Sequence, residues 1–183
     1  MSCTFYYNGL VKLDKIAFEN VAGRLCENLI PIRREYCVGR KGKSIAICTL
    51  ASMKLLEDIC KSDLMERVLI VGRLLSENKG IDTIIKFTLS NQELHHIIVC
   101  GKEVKGHQAG QALLSLHAYG INNDKSGEGI IIAAKGHYPH LKSCKEDLDL
   151  FRRQIVKIHN LVGVDDVNLV RKEIEKAESM ICT

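Results

Sequence analysis

The feature that most constrains this chain is a series of short apolar runs, each followed by a segment with helical periodicity, beginning at Ser44. Runs that lack polar alternation belong to strands buried on both faces, as in a parallel sheet covered by helices. Ser44–Leu50, Val68–Gly72, Ile97–Cys100 and Gly129–Ala134 are the predicted strands. Helices are predicted around Met53–Cys60, Ile81–Leu89 and Gln108–Tyr119, and two charged ones close the chain at Lys145–His159 and Asp165–Met180. The pattern predicts an α/β, Rossmann-like sandwich: a mainly parallel sheet flanked by helices and joined by right-handed crossovers. Ahead of it, Leu13, Ile16, Ala17, Val21, Leu25 and Leu29 fall near helical spacing and Pro31 follows. This predicts an N-terminal helical extension over residues 1–35 and an α/β domain over 36–183.

Composition narrows the possible partners. The 183 residues suit one domain with a short appendage, and 46% hydrophobic residues suffice for a core. A surplus of 26 basic over 22 acidic residues leaves only +4, with the charges interspersed, so nucleic acid is not an expected partner. The longest apolar runs fall well short of the about 20 residues a spanning helix needs, and no signal peptide is evident. A cytoplasmic protein with no membrane span of its own is expected. None of the eight cysteines forms a C-x-x-C pair, so reduced thiols are expected, with Cys48 and Cys100 acting as small buried hydrophobes.

In open α/β sheets ligands bind beyond the carboxyl ends of the strands, so the loops there carry the candidates. The first is Cys48-Thr49-Leu50-Ala51-Ser52, where Ser52 alone reads as a helix N-cap. The second runs from Gly72 to Gly80, with polar groups able to line a crevice, and the third runs from Gly101 to Gly110. Ala134-Lys135-Gly136-His137-Tyr138-Pro139-His140 forms the fourth. No G-x-G-x-x-G, Walker A or G-x-S-x-G pattern follows any strand.

His107 stands where the third loop becomes a helix. Spacing alone favours a surface residue or a cap there. The positive end of the helix also favours the neutral imidazole, the form that binds metal. Gly106 and Gly110 remove bulk on either side, so a planar ligand could approach the backbone. A zinc site from His107, His137 and His140 stays open, although nothing in the spacing specifies it. His95 and His96 start the third strand, away from these loops, and His117 and His159 fall in predicted helices.

These loops, taken in order, resemble the corrinoid-carrying A subunit of tetrahydromethanopterin S-methyltransferase from methanogenic archaea. Ala46–Ser52 looks like that family's first strand end. Ser76-Glu77-Asn78-Lys79-Gly80-Ile81 resembles its T-E-N-x-G-I segment. Cys100–Gln111 is similar to its C-G-x-E-V-x-G-H-x-x-G-Q segment, and Phe151–Gln154 and Leu161–Asp166 resemble its later helices. The likeness runs from roughly Tyr36 to Ala177. It implies a cobalamin or related corrinoid with His107 as axial cobalt ligand and catalytic residue. The protein would then carry a methyl group on cobalt between methyl-tetrahydromethanopterin and coenzyme M or a related thiol. Partner methyltransferase subunits and recruitment to a membrane complex would follow.

The expected cofactor contacts are Gly106, Gln108, Gly110, Glu103, Thr49, Leu50, Ser52, Asn78, Ala134, Gly136 and Tyr138. Glu103, Gln108 and the backbone near Gly106 are expected to support the His107 ring. Lys105 stands where the cobalamin signature D-x-H-x-x-G has aspartate, so an orienting carboxylate is expected from elsewhere. Gly72-Arg73-Leu74 replaces the family's G-P-C, and the apolar C-terminal helix of its membrane-anchored members has no counterpart before Thr183. The alternatives are a non-catalytic corrinoid protein for storage, delivery or sensing, or an unrelated enzyme using Cys100 or a His107–Glu103 pair in acid–base chemistry.

Overall fold

A computed structural model describes residues 36–123 and 129–181; the helix expected within residues 1–35 lies outside them. Five strands form the main sheet in the order β1-β3-β2-β4-β8. They are β1 (Tyr36–Val38), β2 (Ile45–Cys48), β3 (Ile70–Gly72), β4 (His96–Gly101) and β8 (Lys157–Val162). β2 pairs in parallel with β3 and β4, β4 pairs in parallel with β8, and only β1 runs antiparallel, against β3. The fold class expected from the sequence is the one observed.

Helices α1 (Met53–Cys60) and α5 (Val167–Ile181) cover one face, where Ile45, Ile47, Ile98 and Cys100 meet Leu55, Leu56, Ile59, Val170 and Ile174. On the opposite face lie α2 (Lys79–Leu89), α3 (Ala109–Tyr119) and α4 (Lys145–Gln154), over Ala46, Cys48, Ile97 and Val99. Alternate residues of β2 and β4 thus enter different cores, so both strands are apolar throughout. Spacing of i, i+4 and i+7 puts Val170, Ile174 and Ala177 on one stripe of α5.

Two strand assignments differ from expectation. The run expected as a fourth parallel strand, Gly129–Ala134, contains β6 (Gly129–Ile131) of a separate antiparallel sheet with β5 (Ile121–Asn123) and β7 (His140–Leu141). It turns at Ala133, with φ at 59°. The place beside β4 belongs to β8, which starts inside the helix expected over Lys145–His159. Lys157, His159 and Asn160 disguise this edge strand, because an edge tolerates polar residues that a central strand does not. β1 was also unmarked in the apolar pattern: it is three residues long, with Tyr36 and Val38 exposed.

The thiol expectation needs a correction too. Cys37 and Cys60 are joined as a disulfide, with Cα atoms 6.1 Å apart across 23 residues of sequence. β1 presents Cys37 to the face on which Cys60 ends α1, so the partners come from different elements and no close pair marks them. Cys48 and Cys100 are buried free thiols, and burial pushes Cys48 up to about 12.

His159, expected in a helix, lies on β8 within a buried polar chain. Its Nδ1 donates to Glu173 Oε1 at 2.8 Å, because an ionised carboxylate only accepts. Its Nε2 must then accept from His96 Nδ1, at 3.1 Å, which fixes both tautomers. Burial, then the charges of His159, His95 and Lys157, hold the His96 pKa below the usual histidine range.

Two outcomes follow. Reduction, or Cys60→Ser, should lower the unfolding free energy by about 2–4 kcal/mol, checked by denaturant titration with and without dithiothreitol. A depressed histidine pKa contributes stability that is complete above the unfolded value and is lost as pH falls through the folded one. Stability should therefore decline as pH drops below about 6.5. Urea melts at pH 7.5 and 5.5 should show a smaller decline in His96→Gln.

Candidate functional site

The helix following β2 lies on one face of the sheet and the helix following β4 on the other, so the topology reverses between these neighbours. Such a switch point is where an open sheet offers a crevice. Here the loops on its two sides are bonded to each other, beside a pocket of about 360 Å3 lined by Ala51, Ser52, Lys102 and Asp165. A Cβ on Gly101, at φ 82°, would lie 2.4 Å from Thr49 O. Ala51 N–H donates to Lys102 O at 2.9 Å, and Lys102 N–H donates to Ser52 Oγ at 2.9 Å. Ser52 Oγ itself donates to Asp165, which also meets Lys102 Nζ at 3.3 Å. Ser52 occupies the N-cap position of α1 without a capping hydrogen bond, its hydroxyl being used in this seam. Thr49 and Leu50 are fully buried.

The functional groups gather to one side, where the loop after β3, the loop after β4 and the segment after β6 meet. His107 Nδ1 lies 2.7 Å from Glu77 Oε2, with the imidazole 50% exposed and the carboxylate only 1% exposed. Nδ1 carries the proton, since the carboxylate can only accept, and Nε2 has no hydrogen-bond partner among the described residues. The other oxygen of Glu77 accepts from Tyr138 N–H at 2.9 Å. Burial works against the charge on Glu77. Hydrogen bonds from its own backbone N–H, from Tyr138 N–H and from the His107 ring outweigh this and hold the carboxyl below the usual glutamate range.

The third segment is clamped in place. Gln111 Nε2 donates to Ala133 O at 2.9 Å while its Oε1 accepts from Lys135 N–H at 2.8 Å. His137 N–H donates to Gly106 O at 3.2 Å. A Cβ on Gly136 would lie 2.3 Å from His107 O and 2.9 Å from Glu77 Cγ, so this glycine lets the segment close over both residues. Tyr138, half-exposed, stacks on His140 with ring centroids 4.1 Å apart.

The remaining residues singled out from the sequence take varied places. Glu103 does not support His107. Its carboxylate accepts from Gly110 N–H and Gln111 N–H, at 3.3 and 2.8 Å, and so closes the N-terminus of α3. Gln108 is the left-handed N-cap of that helix, at φ 45°. Asn78 caps α2, its side chain accepting from Lys79 N–H at 2.6 Å. The room left at Gly106 and Gly110 is taken by protein: a Cβ there would meet His137 Nε2 at 2.9 Å and Val99 Cγ1 at 2.9 Å respectively. Ala134 packs, partly buried, against the core. Among the described residues no three His, Cys, Asp or Glu side chains could hold a metal ion together, so the zinc alternative has no assembled site. Cys100 is buried and its thiol raised by that burial, which leaves it inert as a nucleophile.

Sequence reasoning missed two residues, Glu77 and Gln111. The missing aspartate at position 105 called for a carboxylate elsewhere, and Glu77, beside the cap of the next helix, was its one acidic neighbour in the second loop.

The amino-acid sequence of this domain matches a known family. The chain belongs to the MtrA family, the A subunit of tetrahydromethanopterin S-methyltransferase, whose model matches residues 25–180. It is 32% identical over 152 residues to the A subunit of a Methanosarcina acetivorans protein named "Putative methyltransferase Mtx", covering 82% of this chain and 71% of that one. Against the A subunit of tetrahydromethanopterin S-methyltransferase from Methanocaldococcus jannaschii it is 35% identical over 146 residues, covering 79% of this chain and 57% of that one. With the second A subunit of the Methanothermobacter thermautotrophicus enzyme it shares 32% identity over 143 residues, 78% of this chain and 73% of the other. The chain thus spans less than three-fifths of the Methanocaldococcus protein. Among the described residues no helix is long and apolar enough to cross a membrane.

Gly136→Ala should lower the unfolding free energy by about 1–3 kcal/mol, because the methyl group presses on backbone that cannot yield cheaply; thermal melts beside wild type check it.

Proposed function

We propose that this protein is a corrinoid-carrying methyltransferase subunit in which His107 is the axial ligand of cobalt. The observation that carries the reading is the fixed tautomer of His107. Donation from Nδ1 to a buried carboxylate leaves the Nε2 lone pair available on a half-exposed ring. Histidines that ligate metals characteristically donate their other N–H to a carboxylate or carbonyl, which orients the ring and raises its basicity. One imidazole would be enough, since a corrinoid would bring its cobalt already held by the ring.

When bound, a corrinoid supplies a cobalt that accepts and releases a methyl group, work that no side chain can do. The protein's residues provide the rest. Glu77 holds the ring by its Nδ1–H, which orients the imidazole and leaves Nε2 as the atom that would meet a metal. Tyr138 N–H keeps Glu77 in place, and Gln111 keeps the segment that carries Tyr138. Methyl-tetrahydromethanopterin as donor and coenzyme M, or a related thiol, as acceptor fit the family to which the chain belongs, as do partner subunits that present them.

Added cobalamin should show a shifted visible spectrum with the wild-type protein and no shift with His107→Ala. Glu77→Gln should keep the shift but require about 10–100-fold more cofactor to reach it. An unchanged wild-type spectrum at saturating cobalamin would remove the reading. Methyl transfer in the presence of partner methyltransferases separates a carrier from a storage protein, which would bind methylcobalamin without turnover.

A further inference from the structure

The Cys37–Cys60 bridge has no part in the Glu77–His107 arrangement, and it joins two elements that are held very unequally. β1 is three residues long, forms an edge of the main sheet and pairs with β3 from Tyr36↔Gly72 to Val38↔Ile70. Tyr36 and Val38 are 59% and 64% exposed. Among the described residues, Cys37 is thus the one β1 side chain that packs against the core beneath α1. So short a ladder at a sheet edge lies at the low end of local stability. Cys60, by contrast, ends a helix that Leu55, Leu56 and Ile59 bury in that core.

The chain that follows β1 is fastened without the disulfide. Gly39 N–H donates to Leu69 O at 2.8 Å, Arg40 N–H to Met65 O at 2.7 Å and Gly42 N–H to Glu66 O at 3.1 Å. The Arg40 guanidinium also pairs with Glu66 at 2.7 Å, and a Cβ on Gly39 would overlap Val68 O. Residues 39–42 are therefore held whether or not the sulfurs are joined, and the junction of Val38 with Gly39 is where the strand can swing. Both cysteines lie at the margin of the core, partly buried, rather than in its centre.

We infer that Cys37–Cys60 is a redox-sensitive latch: as a disulfide it keeps β1 on β3, and as two thiols it lets β1 swing away and leaves Ile70–Gly72 as the edge of the sheet. The opening step is thiol–disulfide exchange with a dithiol reductant. One reductant thiolate attacks a bridge sulfur and the second resolves the mixed disulfide. Two electrons and two protons thereby pass to Cys37 and Cys60, and the reductant becomes its own disulfide. A disulfide oxidant runs the exchange backwards and closes the latch. Opening exposes the backbone N–H and C=O groups of β3 that β1 had paired. The latch is independent of the corrinoid reading and stands or falls without it.

The test follows hydrogen exchange of the full chain by mass spectrometry, in dithiothreitol and in oxidised glutathione, with alkylation and peptide mapping to report the state of Cys37 and Cys60. On reduction, the amides by which 36–38 and 70–72 pair should exchange about tenfold faster or more, at labelling times at which β2 and β4 stay protected. Reoxidation should restore the slow rate. The double variant Cys37→Ser, Cys60→Ser should exchange fast in these two segments under both conditions. Three results would each overturn the inference: β1 as well protected in the fully reduced protein as in the oxidised one, β2 and β4 opening in step with β1, or Cys37 and Cys60 remaining thiols in oxidised glutathione.

Discussion

The hydrogen bond between His107 Nδ1 and the buried Glu77 carboxylate is the contact around which this end of the molecule is arranged. A carboxylate removed from water is costly unless it is paired and fully hydrogen-bonded. Glu77 meets that condition with donors from two other segments, the His107 ring and the Tyr138 amide. The loops therefore cannot be positioned independently. The close approach at Gly136 and the Gln111 clamp belong to the same arrangement, since each brings the 133–138 segment within reach of the acid.

The sheet explains why the site lies off-centre. At the switch point between β2 and β4, where a doubly wound sheet would normally open, Gly101 sits against Thr49 and the Ser52–Lys102–Asp165 contacts bind the loops together. His107 and Glu77 lie to one side of these contacts, at the rim over α2 and α3, where three loop segments meet. The separate β5–β6–β7 sheet supplies the third wall there, and Asp82 of α2 holds its far end by accepting from Lys142 N–H and from Ser143 N–H and Oγ.

Much of this was legible in the residues. The unbroken apolar runs of β2 and β4 gave their burial on both faces, and His107 was marked by its place between a strand and a helix. Features that depend on distant partners were not. Lys157–Val162 reads as part of a helix because an edge strand does not need a continuous apolar run. Cys37 and Cys60 read as unrelated thiols until β1 is placed beside α1's face. Glu103 looked like the natural partner of His107 by proximity in sequence, yet the free amides at the start of α3 claim it, and the acid that serves the histidine is 30 residues upstream.

Tyr138 takes part in the carboxylate's hydrogen bonding through its main chain alone, while its ring points outward onto His140. Anchoring and outward chemistry are thus assigned to different atoms of one residue. The ring stacked on His140 is not the group that meets the acid's oxygen. Proline is the single natural replacement barred on principle, because it has no amide hydrogen to give. At this position the histidine's footing is carried by backbone.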